Sequence, residues 1–239
     1  MSTPAMHPDL DLQQSIRPGL DILANEIIIA SKKRARFPRN PEVYHPGLVA
    51  HDASLTLLRY ELGRIEAIHA ELGLYMYADQ EPFTDVDDVP SVIVRDSPPS
   101  PIERMRSNVG ERIVDFYIPW METGCEAGSN PDTFGETVTA DVNALLAIME
   151  RINLGKYVAE SKYLAAPEKF RAAGFDREAI LDLIIVRERE HQVFDIARRL
   201  AENYAFDPEQ AVSLFEFMVT VTKDVEVDYI RRRLTLEQS

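Results

Sequence analysis

Two cations, Arg151 and Lys162, stand at the ends of a stretch that reads as helix, Arg151-Ile-Asn-Leu-Gly-Lys-Tyr-Val-Ala-Glu-Ser-Lys162. Their separation is almost three whole helical turns, so both side chains leave on nearly the same side, with Gly155 and Val158 between them. The two Cα atoms then lie roughly 16 Å apart. A glycine inside a strong helical pattern costs about 1 kcal/mol relative to alanine, which marks Gly155 as a place where something bulky approaches. Two long side chains leaning toward each other would leave a gap suited to a small dianion, held by one rigid fork and one point charge. The same spacing also describes a solvated helix face, where most arginines and lysines lie.

Carboxylates recur on faces that should be apolar. Near the C-terminus Phe215, Met218, Thr222, Glu226 and Tyr229 follow steps of three and four and share a stripe. Upstream, Leu183, Val186, Glu190, Phe194, Ala197 and Ala201 form a similar one with Glu190 as its odd member. A buried carboxylate is paired with a cation, protonated or engaged by a ligand. An internal salt bridge from Glu190 or Glu226 to Arg151 or Lys162 satisfies the pattern as well as a ligand does. A rival chemistry comes from Glu66-Ala-Ile-His69 and Glu188-Arg-Glu-His191, each the Glu-x-x-His element of di-iron carboxylate bundles. It competes with the first reading, because turning Glu190 inward turns Glu188 away.

Composition narrows the partners. The 239 residues are 45% hydrophobic and 28% charged, enough for one large helical domain or two closely packed lobes. A formal net charge of −14 argues against nucleic acid and anionic membranes, and makes cations set aside on an inward face a sharper signal for a small anion. Cys125 is the single cysteine, which excludes an intramolecular disulfide and a cysteine-rich zinc site. No apolar run long enough to span a membrane and no secretory leader is visible, so a cytoplasmic protein is expected; a mature secreted form with its leader removed is compatible too.

The elements that must position these groups are helices. Periodicity predicts them over about 20–36, 55–74, 102–121, 137–163, 176–204 and 208–234, the last opened by Asp207 as N-cap and Pro208 at the first position. Arg17 precedes the first, followed by Pro18 and Gly19. Residues 37–46 hold three prolines and form a loop, and the acidic, Pro-rich 78–101 is the longest irregular segment. Only Val92-Ile93-Val94 hints at a strand, so the fold class is all-α: one domain over 1–239, a helical bundle with a long central helix.

Taken together, Arg151 to Lys162 and Thr222-Lys-Asp-Val-Glu-Val-Asp-Tyr-Ile-Arg-Arg-Arg-Leu234 resemble the eukaryotic-type chorismate mutases of yeast and plants. His45-Pro-Gly-Leu48, Glu81-Pro-Phe83, Thr133-Phe-Gly135 and Asp207-Pro208 fit in the same order, so the resemblance runs from about Gln13 to Leu234. It implies a homodimer of all-α subunits that rearranges chorismate to prephenate in aromatic amino acid biosynthesis, without metal or other cofactor. It further implies that Arg151 and Arg17 clamp carboxylates, that Lys162 donates to the ether oxygen and a carboxylate, that Glu190 receives the substrate hydroxyl, and that Thr222 and Glu226 act as a pair from the last helix.

Such a reaction is pericyclic and unimolecular. The protein can hold the enolpyruvyl chain over the ring and stabilise the charge growing on the ether oxygen. Glu226 donates to that oxygen only if protonated, which requires a raised pKa. Pro18 disfavours a helical conformation at Arg17 and sets it at a helix start or a kink. Val186 stands where relatives place Asn or Asp near the substrate. In the effector-site region the chain reads Thr133, Gly135 and Glu136, and no arginine pair appears near 69–74, so tryptophan activation and tyrosine inhibition are expected to be weak or absent. The alternative from another class is the same fold turned to ligand sensing or protein interaction without turnover.

Overall fold

In a computed structural model, residues 8–94 and 96–238 are described, and among them regular structure is helical, with a single isolated bridge between Pro46 and Thr56. The main helices are α1 (Arg17–Arg34), α2 (Leu57–Glu71), α3 (Gly110–Thr123), α4 (Phe134–Asn153), α5 (Gly155–Ala165), α6 (Pro167–Ala173), α7 (Arg177–Ile184), α8 (Arg187–Asn203) and α9 (Pro208–Glu237). None is long and apolar enough to cross a membrane among the described residues.

Local chemistry accounts for where several begin. The Thr56 side chain accepts from Arg59 N at α2, Asp176 from Ala179 N at α7, and Asp207 from Gln210 N at α9. Each satisfies an N-terminal donor that the helix itself cannot. Arg17 is helical (φ −63°, ψ −44°) despite Pro18, because a single π-type turn, Leu12–Ile16, runs into α1 and places the proline in its first turn.

Three predicted boundaries are corrected. The central helix over 137–163 is two helices meeting at Leu154, and 176–204 is divided at Ile185 and Val186, both extended. Residues 102–109 are irregular rather than helical, because side chains elsewhere take up their backbone groups. Glu103 N donates to the Tyr229 hydroxyl at 3.0 Å, Ser107 N donates to Glu81, and Lys156 Nζ donates to Met105 O at 2.7 Å. Val92 and Ile93 form a bend on the surface and Val94 is irregular, so no strand forms there. The short α6 fills a stretch to which periodicity assigns no helix.

The core has two parts. One gathers α1 to α4, parts of α8 and the N-terminal half of α9, with Ile27, Ile113, Leu145 and Phe215 fully buried. The other gathers α5, α6, α7 and the C-terminal half of α9 around Tyr163, Phe170, Ile180 and Ile230. Helix α9 passes through both, and α5 and α8 pack along it. Thr222 and Glu226 fall on α9 where one apolar cluster gives way to the other.

Glu66 of α2, half of one Glu-x-x-His pair, is fully buried and accepts from Phe83 N, Thr84 N and the Thr84 hydroxyl. It anchors the irregular segment. Among the described residues no group of three or more His, Cys, Asp or Glu is placed to hold a metal ion.

Candidate active site

A cavity of about 280 Å³ lies in the seam between the two cores, where α1, α4, α5, α8 and α9 meet. Arg17, Arg151, Lys162, Val186, Glu190, Thr222 and Glu226 all line it. Sequence reasoning therefore names residues from five separate helices that folding brings to one wall. Its volume is at the small end of ligand pockets.

Lys162, in the last turn of α5, is fixed on two sides. Its Nζ donates to Ile184 O at 2.8 Å and to Glu226 Oε2 at 2.7 Å. Ile184 ends α7, so the ammonium occupies a carbonyl that the helix leaves unpaired, at the end where a cation is favoured. Glu226 is itself buried. Burial raises its carboxyl above the ordinary range, against the pull of Lys162 and, more weakly, Lys223, while Glu190 adds to the rise. Glu190 pairs with Lys223 at 2.9 Å. The internal salt bridge anticipated for these carboxylates thus exists, as Lys162 with Glu226, and its partners face the cavity.

Arg151, in the last turn of α4, is only 6% exposed, and its guanidinium lies 5.0 Å from the centroid of the Phe215 ring. Its Nε has no hydrogen-bond partner. Burial pushes it down to about 10, Asp21 working against that shift and Arg189 adding to it. A buried, charged fork with a free donor on a cavity wall is a ready anion ligand. The Thr222 hydroxyl is likewise buried without a partner.

Gly155 makes this wall possible. A Cβ there would lie 2.7 Å from Thr222 Cγ2 and 3.7 Å from Glu226 Cγ, so α5 and α9 approach as closely as they do because residue 155 has no side chain. The bulky neighbour anticipated from the sequence is Thr222.

Comparison with known proteins settles the family. The curated chorismate mutase of Schizosaccharomyces pombe is 32% identical over 243 residues, covering 92% of this chain and 96% of that protein. The chain belongs to the chorismate mutase family. The chorismate mutase type II family profile matches residues 135–227, which contain Arg151, Lys162, Glu190, Thr222 and Glu226. Cytosolic chorismate mutase 2 of Zea mays is 26% identical, covering 92% of this chain and 95% of that protein. Among solved structures, a Candida albicans chorismate mutase in complex with L-Trp superposes with a TM-score of 0.87 at 26% identity, covering 98% of this chain and 96% of that one. The chain is accordingly an all-α isomerase of the chorismate mutase type.

Within this chorismate mutase cavity, two charged residues escape sequence reasoning, Arg189 and Lys223. Both directly adjoin assigned residues in the chain, Glu190 and Thr222, and that adjacency is the signal that could have found them. Leu12, Ile16 and Val193 supply apolar wall. The residues that the sequence assigns to an effector-site region are not among those lining the cavity. Thr133 Oγ1 donates to Asn130 O at 2.9 Å and accepts from Asn40 Nδ2 at 3.1 Å, whereas Gly135 and Glu136 are exposed in the first turn of α4.

Proposed function

We propose that the cavity of this chorismate mutase is its active site, and that Arg151, Lys162 and Glu226 perform the rearrangement of chorismate to prephenate with Arg17, Glu190, Thr222 and Val186 around the substrate. The observation that carries this is the convergence of these residues on one small wall, with Lys162 and Glu226 in hydrogen-bond contact at 2.7 Å. Substrate carboxylates meet Arg151 and Arg17, the former through its free Nε. Lys162 and a protonated Glu226 converge from opposite helices on one point, where two donors can share the ether oxygen as its C–O bond breaks. The hydroxyl on the ring is received by Glu190, and Val186 supplies contact without a polar group. The chemistry asks only for a folded substrate and for donors aimed at developing charge.

The test is loss of chorismate absorbance with wild type and Lys162→Ala at pH 5.5 and 8. Fast turnover, greater at the lower pH and abolished by Lys162→Ala, is the expected result. Tight chorismate binding without turnover would replace this reading with that of a non-catalytic sensor.

Three coarser expectations belong with it. Weak or absent control by tryptophan and tyrosine is supported by Thr133 being engaged internally and by the carboxylate at Glu136; a severalfold rate change with either amino acid at sub-saturating chorismate would refute it. A homodimer is supported by exposed Ile68, Leu72 and Leu74 at the end of α2, beside Val92, whose N–H donates to Glu71 O at 2.8 Å. Sedimentation equilibrium giving a monomer at micromolar concentration would overturn it. A cytoplasmic location is supported by the cytosolic maize relative and is checked by fluorescent tagging in the native cell.

A further inference from the structure

The cavity is cationic beyond what its assigned residues require. Among the described residues, Arg17, Arg151, Lys162, Arg189 and Lys223 line it, against the carboxylates Glu190 and Glu226. Both carboxylates are taken, by Lys223 and Lys162. The three guanidinium groups are left without a partner on the wall, in a protein whose net charge is −14.

Arg189 is the one of them to which the proposed function gives no role, and its own contacts are weak. It sits in the first turn of α8, the end of a helix dipole that disfavours a cation, so its place there does not serve the helix. Its side chain is 28% exposed, at the rim of the cavity. A guanidinium offers five N–H donors, and among the described residues this one makes a single hydrogen bond, from Nη1 to Gln192 Oε1 at 3.1 Å. Its ion pair with Asp21 of α1 spans 3.9 Å, too long for a hydrogen bond. Arg189 is also close enough to Arg151 to disfavour the charge on that buried group, and Asp21 is the carboxylate that opposes the effect. Two like charges held this near each other, one of them buried, are stabilised by an anion between them.

We propose that Arg189 is a further substrate-binding residue, a third guanidinium that receives a carboxylate of the dianionic substrate together with Arg151, and that Asp21 is a positioning residue holding Arg189 at the rim until the substrate displaces it. The inference rests on the chorismate mutase reading of this cavity. Exchange of a 3.9 Å pair with a half-exposed carboxylate for a close, charge-assisted contact favours binding. Asp21 competes with the substrate for the same guanidinium, so its removal tightens binding, and only while Arg189 is present.

The experiment is steady-state kinetics on chorismate, with calorimetric titration of prephenate, for wild type, Arg189→Ala, Arg189→Lys, Asp21→Asn and the double variant Asp21→Asn/Arg189→Ala. We expect Arg189→Ala to raise KM and weaken prephenate binding about tenfold or more with kcat changed less than threefold. Arg189→Lys should recover part of the loss, Asp21→Asn should lower KM severalfold, and the double variant should match Arg189→Ala alone. KM within twofold of wild type in Arg189→Ala, or an Asp21→Asn gain that persists without Arg189, overturns the inference while leaving the active-site reading intact. Absence of turnover in wild type overturns both. Thermal denaturation of each variant separates a binding loss from a folding loss.

Discussion

Two opposing effects dominate at Glu226. Burial holds its proton on, and the Lys162 ammonium at 2.7 Å pulls it off; burial prevails, so the carboxyl titrates above its ordinary range. A donor to the ether oxygen must be protonated, so catalysis is present below the raised value and is lost as pH climbs through it. Wild-type kcat should fall about tenfold per pH unit once Glu226 is mostly ionised. Glu226→Gln cannot ionise and keeps an N–H donor in the same place, so its kcat should be nearly level with pH and should approach or exceed that of wild type near pH 8. Parallel profiles for the two enzymes would assign the donor role to another group.

At the level of elements, the site depends on how closely α5 and α9 approach. Alanine at residue 155 would gain about 1 kcal/mol of helix propensity. Its Cβ would also meet Thr222 Cγ2 at 2.7 Å, and the β-branched threonine has little rotamer freedom to withdraw. Overpacking of this kind costs about 1–3 kcal/mol, so Gly155→Ala should be destabilised on balance, and by displacing Thr222 and Glu226 it should lower kcat/KM at least tenfold. Urea denaturation with kinetics checks it; wild-type stability and activity together would mean that the wall has slack. The wall is legible in the sequence because Glu190, Thr222 and Glu226 are polar residues on otherwise apolar stripes, and because the resemblance to chorismate mutases turns Arg151 and Lys162, two cations on one side of a helix, from a solvated face into a site. The junctions are not. Leu154 stays in the right-handed region (φ −59°, ψ −17°), so the periodicity runs through the break without a mark. The break after Ile184 is stabilised by Lys162 from another helix, and residues 102–109 are held by Glu81, Lys156 and Tyr229, contacts across space that leave no local pattern. Arg189 is hidden for a related reason: within Arg187-Glu-Arg-Glu-His191 it looks like one more charge on a solvated helix.

For the whole molecule, the question is what keeps two cores in register around a polar seam. Part of the answer lies away from the cavity, where Arg34 of α1 and Asp141 of α4 are both fully buried and pair at 2.9 Å. Tyr117 of α3 and Tyr44 each donate to Asp141 at 2.8 Å, while Arg34 donates to the carbonyls of Pro38 at 3.0 Å and Arg39 at 2.8 Å. One ion pair thus ties three helices and the loop after α1, and through α4 it fixes the helix that carries Arg151. Truncating one partner strands the other charge in the interior, which costs about 3–5 kcal/mol, whereas replacing both by apolar side chains of similar volume is often nearly neutral. Asp141→Ala should therefore lose about that much stability in urea, and Arg34→Met/Asp141→Leu should recover much of it. Because the cluster does not touch the cavity, KM for chorismate in the folded fraction should stay within about threefold of wild type, consistent with separable, distant sites. A double variant no more stable than Asp141→Ala would show that the hydrogen bonds to the loop, rather than the buried charge, hold these helices together.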